Sequence, residues 1–208
     1  MRCLPQPPLL LITDRLQAGA RPLEWVIAAA LEGGIRWISV REKDLDPDER
    51  LDLLRRIRAL TMATGARLMV HDDLAAAARL RLDGVHLPEH GDAARARALL
   101  PDGLIGQSWH GDSGAAMLGD PALDYLSLSP IFLTESKPGY GPALGPEGIE
   151  RATRLTTKAL IALGGIAGDK VGSCRDAGAA GVAVMGEVMR ATDPARAAAA
   201  LVARFAAS

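Results

Sequence analysis

Short apolar runs alternate with longer amphipathic segments eight times along this chain, and few folds accept that rhythm. The runs are Leu9 to Thr13, Trp37 to Arg41, Leu68 to His71, Gly84 to Leu87, Leu104 to Ser108, Tyr125 to Ser129, Ala159 to Leu163 and Gly181 to Met185. Rich in Val, Ile, Leu and Ala and lacking hairpin turns between them, they read as parallel strands covered on both faces. The segments between them carry helix punctuation. Asp46 is placed to cap, Pro47 takes the first helical position and Glu49 follows three residues after the cap. Leu54, Ile57 and Leu60 then share a face, and Gly65 stands where a left-handed C-cap is wanted. Asp193-Pro194 repeats the start signal for a last helix striped by Ala197, Leu201 and Phe205, while Val171, Cys174 and Ala177 mark the helix before it.

Eight strand-helix units close into a (β/α)8 TIM barrel, an α/β fold. A doubly wound open sheet is the competitor, but it would normally use fewer strands and a glycine-rich first turn, where this chain has Thr13-Asp14-Arg15. At 208 residues the period is short, as in a minimal barrel. We expect one domain over residues 1–208, with 1–8 as an N-terminal extension.

Charge narrows the partners. Lys and Arg number 24 against 25 acids, and their mixing leaves no basic stripe for nucleic acid or anionic lipid. Aromatic residues make up 3%, too few for a base-stacking platform. The N-terminal apolar run is broken by prolines and too short to span a membrane. Cys3 and Cys174 are far apart and show no CxxC spacing, as in a cytoplasmic protein with reduced thiols. The expected partner is a small molecule, and the apolar helix faces are compatible with a homodimer.

In a barrel of this kind the residues just after each strand converge on one rim, where the site lies. That rim would carry Thr13, Asp14 and Arg15; Arg41, Glu42 and Lys43; His71, Asp72 and Asp73; His86, Glu89 and His90; and Ser108 with His110. Strand six runs into a long polar loop with Thr134, Glu135, Ser136 and Lys137, with Gly139 and Gly141 as pivots, and such a loop in a compact domain binds or covers something. Gly164-Gly165-Ile166 and Val184-Met185-Gly186 offer bare backbone N–H groups after strands seven and eight, the usual phosphate pocket of barrels. Arg41 and Lys43 flank Glu42 in an arrangement suited to a diphosphate or carboxylate. His110 is a candidate general acid or base. His71, His86 and His90 with Asp72 lack zinc-ligand spacing, and His86 is expected to pack beneath the barrel mouth.

Taken in order, Ile12-Thr13-Asp14-Arg15, Val40-Arg41-Glu42-Lys43, Asp83-Gly84-Val85-His86-Leu87, Pro130-Ile131-Phe132 with Thr134, Ser136 and Lys137, Gly164-Gly165-Ile166 and Ala179 to Val184 resemble the thiamin phosphate synthase and TenI family over nearly the whole chain. The resemblance implies a barrel that binds a phosphorylated thiazole at its last two strands. It also implies one of two activities. Synthases couple hydroxymethylpyrimidine diphosphate to thiazole phosphate, with Mg2+ holding the departing diphosphate; a TenI tautomerase aromatises thiazole phosphate carboxylate by proton transfer, with no cofactor. Carried over by position, Arg41, Lys43 and Lys137 match the diphosphate cations and Asp72 one magnesium carboxylate. Ser39 stands where a pyrimidine-contacting glutamine is expected, His71 replaces an asparagine, and the second magnesium carboxylate gives way to Pro88-Glu89-His90-Gly91, with Glu89 or Asp92 as the substitutes. The resemblance therefore points first to the tautomerase. His110, Lys137 and Ser108 would then be catalytic, with Arg41, Lys43, His71, Asp72, Thr134, Ser136, Gly164, Gly165, Met185 and Gly186 binding substrate. The alternatives are the Mg2+ synthase and a non-catalytic phosphate-binding relative.

Overall fold

The computed structural model describes residues 2–111, 114–134 and 142–206. All eight expected strands form, as β1 (Leu9–Ile12), β2 (Trp37–Val40), β3 (Arg67–His71), β4 (Gly84–Leu87), β5 (Leu104–Trp109), β6 (Tyr125–Leu128), β7 (Ala159–Leu163) and β8 (Gly181–Val184). Each pairs in parallel with its neighbours in chain order, and β8 closes onto β1 through Leu10 beside Ala183. The result is a single closed (β/α)8 barrel, and the open-sheet competitor is excluded.

Nine α-helices among the described residues pack outside: α1 (Leu23–Glu32), α2 (Pro47–Thr64), α3 (Leu74–Arg79), α4 (Ala93–Leu99), α5 (Ala115–Leu118), α6 (Gly145–Thr153), α7 (Val171–Asp176), α8 (Gly186–Met189) and α9 (Pro194–Ala206). Short acidic side chains start several of them. The Asp46 carboxylate accepts from the Asp48 and Glu49 amides, both at 2.9 Å, and Asp73 and Asp92 cap α3 and α4 in the same way. At the other end of α2, Gly65 adopts the left-handed C-cap expected of it, at φ 67°. No helix among the described residues is long and apolar enough to cross a membrane.

Residues 2–8 are built into the fold rather than trailing from it. The Arg2 amide donates to the buried Asp124 carboxylate at 3.0 Å, Val182 donates to the Pro8 carbonyl at 3.1 Å, and Leu4 packs against the barrel's interior cluster. The segment seals the end of the barrel opposite the rim.

Strand alternation divides each strand's side chains between helix layer and barrel interior. Inside, Leu10, Trp37, Met69, Leu104, Tyr125 and Ile161 fill the lower part, with the Trp37 and Tyr125 rings edge to face at 5.0 Å. Above them the interior turns polar. His86 is fully buried, as expected, with Nδ1 2.9 Å from the Tyr125 hydroxyl and Nε2 within 3.1 Å of Ser108 Oγ and 3.2 Å of Ser127 Oγ.

Burial pulls the His86 imidazole down from its ordinary 6.5 to about 3, so it folds as the neutral ring. The unfolded chain then takes up a proton below pH 6.5 that the folded chain refuses until about pH 3, so His86 contributes its full stability above pH 6.5 and loses it on acidification. Unfolding free energy is expected to fall by about 1.4 kcal/mol per pH unit from this residue between pH 6.5 and 5. Urea titrations of wild type and His86→Asn test it: parallel pH profiles would remove His86 as the source.

Candidate active site

All eight strand ends contribute to one cavity of about 600 Å3 at the carboxyl end of the barrel. The residues after β2 and β3 line one side. Arg41 and Lys43 face the cavity, but Glu42 between them does not: it is buried on the alternation of Ile38 and Val40, whose side chains pack in the helix layer. Its carboxylate accepts the Thr13 hydroxyl at 2.6 Å and the Arg15 amide at 3.1 Å, and Thr13 Oγ1 in turn accepts the Arg41 amide at 3.0 Å. Burial pushes the Glu42 carboxyl up, against those two donors. The grouping of two cations around one acid is thus corrected: Glu42 clamps the first two loops together on the helix side of the strands and leaves the cations to the cavity.

Asp72 lines the same side. Its backbone is left-handed, φ 54°, a conformation that costs most residues energy but that Asp tolerates. Its own N–H, bonded to the His86 carbonyl at 2.9 Å, holds it there. Next to it, His71 Nδ1 lies 2.9 Å from Ser39 Oγ, and its ring lies 4.4 Å from that of His86, tilted by 40°. Ser39 is wholly buried, so it orients His71 and leaves the histidine to meet a ligand. Glu89 also lines the cavity. Asp92 is committed elsewhere: its carboxylate caps α4 through the Arg95 amide at 2.9 Å. His90 is exposed and lies outside the cavity lining, and no group of three His, Cys, Asp or Glu able to hold a metal exists among the described residues.

β5 supplies the middle of the cavity, with Ser108 held by His86 from beneath. His110 Nδ1 lies 3.1 Å from the Ser129 carbonyl. A carbonyl can only accept, so Nδ1 donates in that contact, and Ser129 Oγ lies 3.3 Å from the same nitrogen.

The turns after β7 and β8 form the opposite side. Gly164 and Gly165 both take positive φ, 104° and 60°, and a Cβ on Gly165 would fall 2.2 Å from the Leu133 carbonyl. Glycine is required here because the loop after β6 lies across the turn, as well as for any approach of an anion. The Gly165 and Ile166 amides donate to no described carbonyl, and α8, which begins at Gly186, has no side-chain cap. Lys170 Nζ donates to the Gly165 carbonyl at 3.1 Å and sits 4.8 Å over the Phe132 ring, while Arg190 stacks on Gly186.

Of the residues expected at the site, Arg41, Lys43, His71, Asp72, Ser108, His110, Thr134, Gly164, Gly165, Met185 and Gly186 all reach this cavity. Ser136 and Lys137, with Gly139 and Gly141, lie outside the described residues. Lys170, Arg190 and Ser129 line the cavity without having been expected. Arg190 had a readable cue: it follows Gly186 by four residues, one helical turn on the same face.

A family model described as thiamine monophosphate synthase matches residues 9–188. The chain belongs to the thiamine monophosphate synthase family. A "Putative thiamine-phosphate synthase" of Geobacter sulfurreducens is 43% identical over 197 residues, spanning 94% of this chain and 92% of that protein. The thiamine-phosphate synthase of Albidiferax ferrireducens is 37% identical over 191 residues, spanning 89% and 86%. Among solved structures, a thiamine phosphate pyrophosphorylase from Pyrococcus furiosus superposes with a TM-score of 0.84 at 28% identity over 95% of each chain. These relatives carry the name of the transferase, the sequence reading's alternative, and lend no support to its first choice, the tautomerase.

Proposed function

We propose that the protein is a thiamin phosphate synthase, joining hydroxymethylpyrimidine diphosphate to thiazole phosphate with release of diphosphate. In that reaction the bond from the pyrimidine-bearing carbon to the diphosphate oxygen breaks, and the same carbon bonds to the thiazole ring. The observation that carries the reading is the pairing of charges on one side of the cavity: two cations, Arg41 and Lys43, share it with two carboxylates, Asp72 and Glu89. A metal-free site for an anionic carboxylate would be weakened by two acids at its wall. A site for a diphosphate that arrives with a divalent cation needs both signs.

The residues present fit Mg2+. It takes oxygen ligands, usually one or two protein carboxylates completed by water and phosphate oxygens, so Asp72 and Glu89 would hold it without a third protein ligand. When bound, the ion would neutralise charge developing on the leaving diphosphate. Arg41 and Lys43 bind the same group directly, and Lys137 joins them by the family resemblance. Across the cavity, the Gly165, Ile166 and Gly186 amides hold the thiazole's phosphate. Ser108 and His71, each fixed by a buried partner, orient the ring between the two anions.

Incubation with both substrates is expected to yield thiamin phosphate with Mg2+ and at least about a hundredfold less with EDTA. Product formed equally in EDTA would overturn the synthase assignment. His110 supports a second reading, because its imidazole lines the cavity and is a side chain suited to moving a carbon-bound proton. Metal-independent turnover of thiazole phosphate carboxylate, lost in His110→Ala, would establish that reading instead.

A further inference from the structure

From the sequence the phosphate end of the site is expected to be backbone alone, yet a guanidinium lies in it. Arg190 lines the cavity one helical turn after Gly186. A Cβ built on Gly186 would sit 2.2 Å from Arg190 Nη1 and 2.6 Å from Cζ, so the guanidinium occupies the space that a side chain at 186 would take. Gly186 does not adopt positive φ, so its backbone conformation does not demand glycine. A side chain at 186 would instead displace the Arg190 guanidinium.

The guanidinium is also tethered. Arg190 Nη1 donates to Gln17 Oε1, while Gln17 Nε2 donates to Asp14 Oδ2 at 2.6 Å and meets Met185 Sδ at 3.2 Å. Asp14 is fixed in turn by accepting the Leu16 amide at 3.2 Å. Neighbouring strands β1 and β8 thus deliver a chain, Asp14 to Gln17 to Arg190, that ends on the glycine of the anion pocket. The acids bordering this corner are Asp14, which Gln17 engages, and Glu187, exposed at the start of α8.

We infer that Arg190 is a side-chain ligand for the phosphoryl group of the thiazole substrate, with Gln17 as its positioning residue and Gly186 as the gap that admits it. This rests on the proposed function and adds to it. The phosphate end then carries a fixed charge, and an arginine suits a phosphate because it presents two donors in one plane. Discrimination between the phosphate ester and the free thiazole alcohol follows from that charge.

Calorimetric titration of thiazole phosphate and of thiazole alcohol into wild type, Arg190→Gln and Gly186→Ala tests the inference. Both variants are expected to bind the phosphate about tenfold or more weakly and the alcohol as well as wild type does. The double variant should be no worse than Arg190→Gln, since the alanine acts by displacing the same guanidinium. Unchanged phosphate affinity in Arg190→Gln, equal loss for both ligands, or additive losses in the double variant would overturn the role of Arg190. If wild type itself bound no thiazole phosphate, the proposed function would fail before the variants were compared.

Discussion

Asp72→Asn is expected to lower Mg2+-dependent formation of thiamin phosphate by at least about a hundredfold while leaving the melting temperature where it was. Two properties of the position make the experiment clean. Asp72 faces the cavity from a left-handed backbone at φ 54°, and asparagine is nearly as tolerant of that conformation as aspartate. The substitution therefore removes a charge and little else. Asp72→Ala should lose the same activity and, in addition, about 1 kcal/mol of stability, because its Cβ gains no local hydrogen bond in return. Turnover of Asp72→Asn within threefold of wild type would remove this carboxylate from the metal site. Equal stabilities for the two variants would show that the backbone strain is not felt.

Gly106→Ala should cost about 3 kcal/mol, the upper end of what overpacking does in a filled core. Gly106 is on β5 beneath the site, and a Cβ there would fall 2.0 Å from Cζ of the Tyr125 ring. The ring has nowhere to retreat: it stands edge to face with Trp37 and its hydroxyl meets His86. Because His86 supports Ser108, the damage should reach activity as well as stability. In a Tyr125→Leu background the same alanine should cost less than about 1 kcal/mol, since the colliding ring is gone. An identical penalty in both backgrounds, measured by urea unfolding, would mean that the collision is not the cause.

Both effects depend on neighbours that are far apart in the chain, and this separates what could be read from the sequence from what could not. Strand positions were legible because eight runs of Val, Ile, Leu and Ala, spaced by capped helices such as that following Asp46, can bury themselves in few ways. The rim was legible too, because a closed parallel barrel sends every strand's carboxyl end to the same face: His71 at the end of β3 and His110 after β5 had to share a cavity. The sequence marks 1–8 as an extension, and the seal that residues 2–8 make on the barrel's far end depends on Asp124 and Val182, which the sequence does not mark as neighbours.

What the tertiary structure decided was the direction of individual polar groups. Glu42 and its two cationic neighbours stand side by side in the sequence, but pleating turns the acid to the helix side, against Thr13, and leaves Arg41 and Lys43 to the cavity. Asp92 and Glu89 were equal candidates for a carboxylate until Asp92 proved to be spent on the first turn of α4. Gln17 and Arg190 meet although 173 residues separate them, because β8 closes beside β1. Periodicity records which face of an element is apolar. It does not record which of several hydrogen-bond partners a polar side chain chooses once folding has brought them within reach.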